Sequence, residues 1–171
     1  MRVTTDPALL ERLRILFDAR DRGDMQPTIR ALLDVLAEHP DDPYVLYEVG
    51  GAYDTAGDEQ TAAGYYERAL DTGLEGDTLR RCLLQYGSTL RNLDRFDESL
   101  AVLDRALSLF PESESVRVWH ALSLHAAGRS DAAVAELMEV AADNIPSPDL
   151  QRYQAAIRGN AEYLRSQDTA R

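Results

Sequence analysis

The segment from Pro43 to Pro111 carries one pattern twice, and this repetition restricts the fold more than any other feature of the chain. PYVLYEVGGAYDTAGDEQTAAGYYERAL is followed by RCLLQYGSTLRNLDRFDESLAVLDRAL. Each copy has a large apolar residue, a glycine, a second large apolar residue and a short polar turn. A small residue, an aromatic or Leu, and Glu/Asp-Arg-Ala-Leu follow. Gly50 and Gly87 lie 37 residues apart, as do Ala69 and Ala106. Self-similarity at such a period marks stacked units, none of which buries its apolar face alone.

The units are helical. Apolar residues recur at three- and four-residue spacing, and no period-two run is long enough for a strand. The spacing predicts helices over 8–22, 25–38, 44–55, 59–71, 78–92, 96–109, 114–127 and 131–142, with a ninth from Asp149 to Ser166. Asp6 is the expected N-cap of the first, with Pro7 in its first turn. The turns fall at Gly23-Asp24, Gly57-Asp58, Asp94-Arg95 and Gly128-Arg129. His39-Pro40-Asp41-Asp42-Pro43 and Asn144-Ile145-Pro146-Ser147-Pro148 cannot continue a helix. The polar segment from Ser166 to Arg171 is expected to fray.

Charge and chemistry exclude much. The 171 residues fit one domain, and the net charge is −12. Every basic residue is Arg. This balance argues against binding nucleic acid, which needs a basic surface, and against docking on anionic membranes. Met1 to Pro7 carries no apolar run of a signal peptide, and no segment has the length and apolarity of a membrane span. The expectation is a soluble, cytoplasmic protein. Cys82 is the only cysteine, which excludes an intramolecular disulfide, and its apolar helical setting reads as an inert buried thiol. His39, His120 and His125 make no zinc-ligand spacing with it. There is no glycine-rich phosphate loop and no recognisable Ser/His/Asp order. The chain therefore reads as a non-enzyme with no metal and no cofactor.

Residue types recurring in register identify a resemblance to the tetratricopeptide repeat, a 34-residue helix–turn–helix unit. The units are 9–42, 43–76, 80–113 and 114–147, with a capping helix over 149–166. The small residue at the helix crossing is Gly50, Gly87 and Ala121, with Leu16 as the departure in the first unit. The large residue one turn later is Tyr53, Leu90 and Leu124, with Ala19 first. The small residue opening the second helix is Ala62, Ser99 and Ala133, and the ring or Leu after it is Leu32, Tyr66, Leu103 and Leu137. The run Leu46–Leu137 is similar to the small stand-alone bacterial proteins grouped as tetratricopeptide repeat group 5.

The resemblance implies an all-α fold, a right-handed superhelix (α-solenoid) of four helix pairs plus the capping helix, forming a single domain over 1–171. It implies non-catalytic binding of an unknown protein or peptide in a concave groove lined by the first helix of each unit. Carried onto this chain, the groove takes Tyr44, Tyr47, Arg81, Gln85, Ser88, Arg91, Asn92, Trp119 and His125. Leu10, Leu13, Phe17, Arg20 and Glu48 share that face. Arg81 and Arg91, close to three turns apart, either grip a carboxylate or pair with nearby acids. Trp119 is either a groove anchor or core beneath the C-terminal helix. Tyr53 and Tyr66 read as core, and Tyr44 and Tyr47 as contacts. Chaperone-binding members of the family use a clamp of Lys and Asn; the absence of Lys, with Tyr, Leu, Gly or Ser at the matching positions, disfavours that mode here. Other readings are a secretion-type chaperone for a client protein and a self-associating module, so the protein is a monomer or a homodimer. No DNA-binding segment is read ahead of the repeats, which disfavours a peptide-sensing transcription factor.

Overall fold

The computed structural model describes residues 6–168. The described residues form ten helices and no named strand. The helices are α1 Pro7–Asp18, α2 Gln26–Glu38, α3 Pro43–Thr55, α4 Glu59–Thr72, α5 Gly76–Asn92, α6 Phe96–Leu109, α7 Glu114–Ala126, α8 Ser130–Asn144, α9 Pro148–Arg152 and α10 Gln154–Asp168. The chain divides into two compact units, one ending at Leu93 and the other starting at Asp94.

In the first unit α3 is central. It packs on α4 and α2, and also touches α1 and α5. Its near-continuous apolar sequence explains this placement: Val45, Leu46 and Val49 are fully buried. Leu9 and Leu13 of α1, Ile29, Leu32 and Val35 of α2, and Val45 and Val49 of α3 share one core cluster. The α3–α4 crossing is set by size. A Cβ built on Gly50 would stand 2.9 Å from two ring carbons of Tyr66, a distance that real Cβ atoms do not adopt. Only glycine lets that ring lie flat against the helix. Tyr66 is fully buried, with the rings of Tyr47 and Tyr86 at 6.2 and 6.4 Å between centroids. Its hydroxyl donates to Gln85 Oε1 at 3.2 Å and to Asp54 Oδ2 at 3.4 Å, joining α4 to α5 and α3.

The turns obey the register read from the sequence. Gly57, Asp94 and Gly128 occupy equivalent places, with φ of 82°, 59° and 81°. The amides of Asp58 and Arg129 reach back five residues, to the carbonyls of Tyr53 and Leu124. That closure needs a left-handed residue, which Gly supplies freely and Asp tolerates.

In the second unit α7 packs between α6 and α8, and α10 packs on α8. Leu100, Ala121, Leu124, Ala132 and Ala133 make its core cluster. Here the structure departs from expectation. The register places Leu137 inside, yet it is 40% exposed, and the residue before it, Glu136, is buried instead. The cause is electrostatic: Glu136 Oε2 sits 2.7 Å from His120 Nδ1, and its other oxygen lies 3.9 Å from Arg117. Alanines at 132, 133, 135 and 142 form the rest of the buried face of α8.

Three ends also differ. α1 stops at Asp18, not Arg22, because the side chains of Asp21 and Asp24 accept the amides of Gly23 and Gln26 and replace helical bonding. The terminal helix is broken at Tyr153, whose amide closes on Leu150 O, giving α9 and α10 in place of one element. The segment expected to fray from Ser166 is helical to Asp168, whose carboxylate accepts the Ala132 amide at 2.8 Å. This caps the start of α8, where Arg129 supplies no side-chain cap. Residues 169–171 lie outside the described residues.

Two measurements test this packing. Gly50→Leu should lower stability by about 1–3 kcal/mol through overpacking against Tyr66, whereas Gly64→Ala, in open space within α4, should raise it by roughly 0.5–1 kcal/mol. Thermal melts followed by circular dichroism read both. Asp168→Ala should cost about 1 kcal/mol, the usual worth of a helix cap, and speed amide exchange at the start of α8.

Candidate functional site

Two adjoining cavities open in the first unit. One, of about 460 Å³, is lined by Leu10, Leu13, Arg14, Phe17 and Asp18 of α1, Tyr44, Tyr47 and Glu48 of α3, and Thr78, Arg81 and Gln85 of α5. The other, of about 190 Å³, shares Phe17, Tyr47, Glu48 and Gln85 and continues past Arg20, Arg22 and Thr28 to Gly51 and Thr55. Together they make a cleft walled by α1, α3 and α5. The walls are the faces that α1, α3 and α5 leave uncovered after their apolar stripes enter the core. Of the groove residues read from the sequence, the cleft gathers Tyr44, Tyr47, Arg81 and Gln85.

Ser88, Arg91 and Asn92 line neither cavity. Arg91 donates through Nη2 to Ser88 Oγ at 3.0 Å and to Asn92 Oδ1 at 3.2 Å. Asn92 Nδ2 in turn donates to Glu59 Oε1 at 2.8 Å. Arg91 is half-buried, its Nη1 has no hydrogen-bond acceptor among the described residues, and desolvation pulls its pKa down. Arg81 is exposed and pairs with Asp77 one helical turn before it, Nε to Oδ2 at 2.7 Å. Tyr47 is buried against Tyr66 and reaches the cleft with its edge, while Tyr44 is half-buried. In the second unit Trp119 is half-buried, and His125 is exposed with Nδ1 at 3.1 Å from Ser130 Oγ.

The electrostatic centre of the cleft is Glu48. It lines both cavities, and among the described residues its carboxylate accepts no hydrogen bond and joins no ion pair. Burial pushes its pKa up from 4.5 to about 7, against a smaller opposing pull from the Arg20 and Arg81 guanidiniums. Arg14, Arg20 and Arg81 around it are already engaged, while Arg22 stands exposed at the rim of the smaller cavity. Arg14 pairs with Glu11 at 2.7 Å and Asp18 at 2.6 Å. Arg20 donates to Phe17 O and lies 3.4 Å over the Phe17 ring centroid. Burial, with the charge of Glu48 second, also pushes the Tyr47 hydroxyl well above its ordinary value. The groove face read from the sequence already includes Phe17, Arg20 and Glu48. Arg14, Asp18 and Thr78 also line the cleft and were not foreseen.

The second unit holds the larger ionic network. Arg117 reaches Glu139 at 3.1 Å and Asp143 at 2.9 Å, and Arg158 meets Asp143 at 2.6 Å. Arg165 joins Glu139 through a second contact at 2.7 Å. His120 faces carboxylates on both sides, Glu136 from Nδ1 and Asp104 from Nε2 at 3.2 Å. These pairs hold the pKa of Glu139 and Asp143 below the ordinary carboxylate value, chiefly through Arg165 and Arg117 respectively. The arrangement ties α7, α8 and α10 together. Sequence spacing showed none of it, because the partners lie on different helices.

Among the described residues no group of three or more His, Cys, Asp or Glu is placed to hold a metal ion. None of the described helices is long and apolar enough to cross a membrane. Cys82 is fully buried, its Sγ 3.8 Å from the Tyr66 carbonyl oxygen.

Stacked helix pairs, a crossing seated on Gly50 and a polar, aromatic-walled cleft define an all-α repeat solenoid of the binding-module class. A family model described as tetratrico peptide repeat, group 5, matches residues 43–164. The chain belongs to that family. Among solved structures it is similar to MamA 41-end from Desulfovibrio magneticus RS-1, with a TM-score of 0.67 and 17% identity over 96% of this chain and 95% of that one. It is similar as well to a MamA RS-1 double mutant, with a TM-score of 0.66 and 19% identity over 95% of this chain and 96% of that one. A crystal structure of MamA gives a TM-score of 0.65 at 17% identity, over 98% of this chain and 95% of that one. At these identities the likeness shows the fold alone. No curated protein matches the chain.

The raised pKa of Glu48 gives a signed pH dependence. The folded state holds this proton longer than the unfolded chain does, so the contribution of Glu48 to stability falls as pH rises from about 4.5 to about 7 and is level above. Glu48→Gln should therefore leave stability near wild type at pH 4.5 and raise it by on the order of 2–3 kcal/mol at pH 8. Urea denaturation of both forms at the two pH values checks this.

Proposed function

We propose that the chain is a non-catalytic interaction module whose first unit receives a segment of another polypeptide in the cleft between α1, α3 and α5. One observation carries this reading: first-helix faces leave an open cleft whose wall combines aromatic rings with hydrogen-bonding side chains. Tyr44, Tyr47, Arg81 and Gln85 converge there. Flat rings supply contact area at small entropic cost, and the amide and hydroxyl groups orient a backbone. Arg81, Gln85, Ser88 and Asn92 follow one another at four-, three- and four-residue steps, so they form one stripe along α5 that extends the cleft's reach. Family membership supports a scaffolding role, since tetratricopeptide repeats are binding modules without catalytic machinery. Trp119 and His125 on α7 are the corresponding contact candidates of the second unit.

Affinity capture from the native lysate tests the reading. Proteins retained by the wild-type chain should be lost from Tyr44→Ala/Arg81→Ala, and weakened less by Arg91→Ala/Asn92→Ala, whose residues stand outside the cleft. An identical set of captured proteins in wild type and Tyr44→Ala/Arg81→Ala would overturn it.

A further inference from the structure

The cleft also carries information about what its occupant must contain, on the reading that a polypeptide segment binds there. The geometry points to a cleft selective for a cationic side chain, Lys or Arg, of that segment, with the Glu48 carboxylate as its counter-ion.

The first argument is the accounting of charge. Arg14 and Asp18 neutralise each other, Arg81 is paired with Asp77, and Arg20 is committed to the carbonyl and ring of Phe17. Glu48, which lines both cavities, has among the described residues neither a hydrogen-bond donor nor a cation in ion-pair contact. A largely desolvated carboxylate with no hydrogen bond or ion pair, opposed only by the more distant pull of Arg20 and Arg81, is costly and marks a place that a cation can complete. Its position at the junction of the two cavities puts it within reach of a long side chain entering from solvent.

The second argument is the wall. Phe17, Tyr44 and Tyr47 surround the approach to Glu48. Aromatic faces attract ammonium and guanidinium groups and pack against the methylene stem of Lys or Arg. The cation already lying over Phe17, that of Arg20, shows the ring to be placed for this kind of contact. A third argument is long-range: a chain of net charge −12 draws basic segments toward it and repels acidic ones. An anionic ligand would instead meet Arg20 and Arg22 in the smaller cavity but would have to sit beside Glu48.

The assignment has a pH signature. The charged groups facing Glu48 are Arg14 and Asp18 from α1, Arg20 and Arg22 from the turn after it, and Arg81 from α5. Tyr44 and Tyr47 face it from its own helix. The lining residues of α2 are uncharged. A bound cation favours the ionised carboxylate, so a basic segment binds more tightly as pH rises through about 7.

Four decapeptides of one Ala/Leu sequence, differing only in a central Lys, Arg, norleucine or Glu, test the inference on the full chain by fluorescence anisotropy. The Lys and Arg peptides should bind at least about tenfold more tightly than the norleucine peptide, and this preference should vanish in Glu48→Gln. Affinity for the Lys peptide should rise by up to about tenfold from pH 6 to pH 8 in wild type and stay level in Glu48→Gln. Equal binding of the Lys and norleucine peptides would overturn the charge selectivity while leaving the peptide groove standing. Tightest binding of the Glu peptide would replace it with anion capture by the arginines. Failure of all four to bind at millimolar concentration would sink the groove itself.

Discussion

The ring of Tyr66 lying on Gly50 is the contact on which the first unit turns. A methyl group at residue 50 has no room, so the Tyr66 ring packs directly on the α3 backbone. Burying the ring leaves its hydroxyl needing acceptors, and it finds them on the neighbouring helices in Asp54 and Gln85. Thr89 adds a second bond to Asp54 at 3.3 Å. One apolar contact thereby fixes a polar network across α3, α4 and α5. Two walls of the cleft, Tyr47 and Gln85, are held by that same ring. The crossing and the site are parts of a single packing solution.

Glu48 stands against this economy. The other desolvated carboxylate of α3, Asp54, is bonded by Tyr66 and Thr89, whereas Glu48 has no such partner, and a neutral residue at 48 would fold more comfortably. Proteins concentrate such local conflicts where binding or chemistry needs them. The contrast with Glu136 is instructive. Both carboxylates are drawn out of solvent, but Glu136 has His120 and Arg117 at hand, and Glu48 has open space in front of it. The first is a fastening within the second unit, and the second is an unfilled place in the first.

Much of the fold was legible because repeat proteins state each rule several times. The turns at Gly57, Asp94 and Gly128 could be aligned by spacing, and each is left-handed as the alignment requires. The boundaries of α6 follow directly from its flanking turn and proline. Elsewhere distant polar groups overrode periodicity. Asp21 and Asp24 shortened α1, Arg117 and His120 rotated Glu136 inward in place of Leu137, and Asp168 ordered a segment that reads as a loose end. The turns of Asp21 and Asp24 are local, but the partners of Glu136 and Asp168 lie on other helices and leave no local trace. The site shows the same division. Helical stripes were enough to group Tyr44, Tyr47, Glu48, Arg81 and Gln85. Three-turn spacing correctly put Arg81 and Arg91 on one helix, but could not reveal that Arg91 is drawn against Ser88 and Asn92 while Arg81 remains at the cleft.

The bond from Asp168 to the Ala132 amide spans 36 residues and runs backward along the chain. During synthesis, α8 emerges with its first turn open and waits for the last helix to supply the missing acceptor. The second unit therefore cannot be completed in the order in which it is made. Its closing step waits for α10, so a product truncated before Asp168 would carry a recognisable defect at α8 far from the point of truncation.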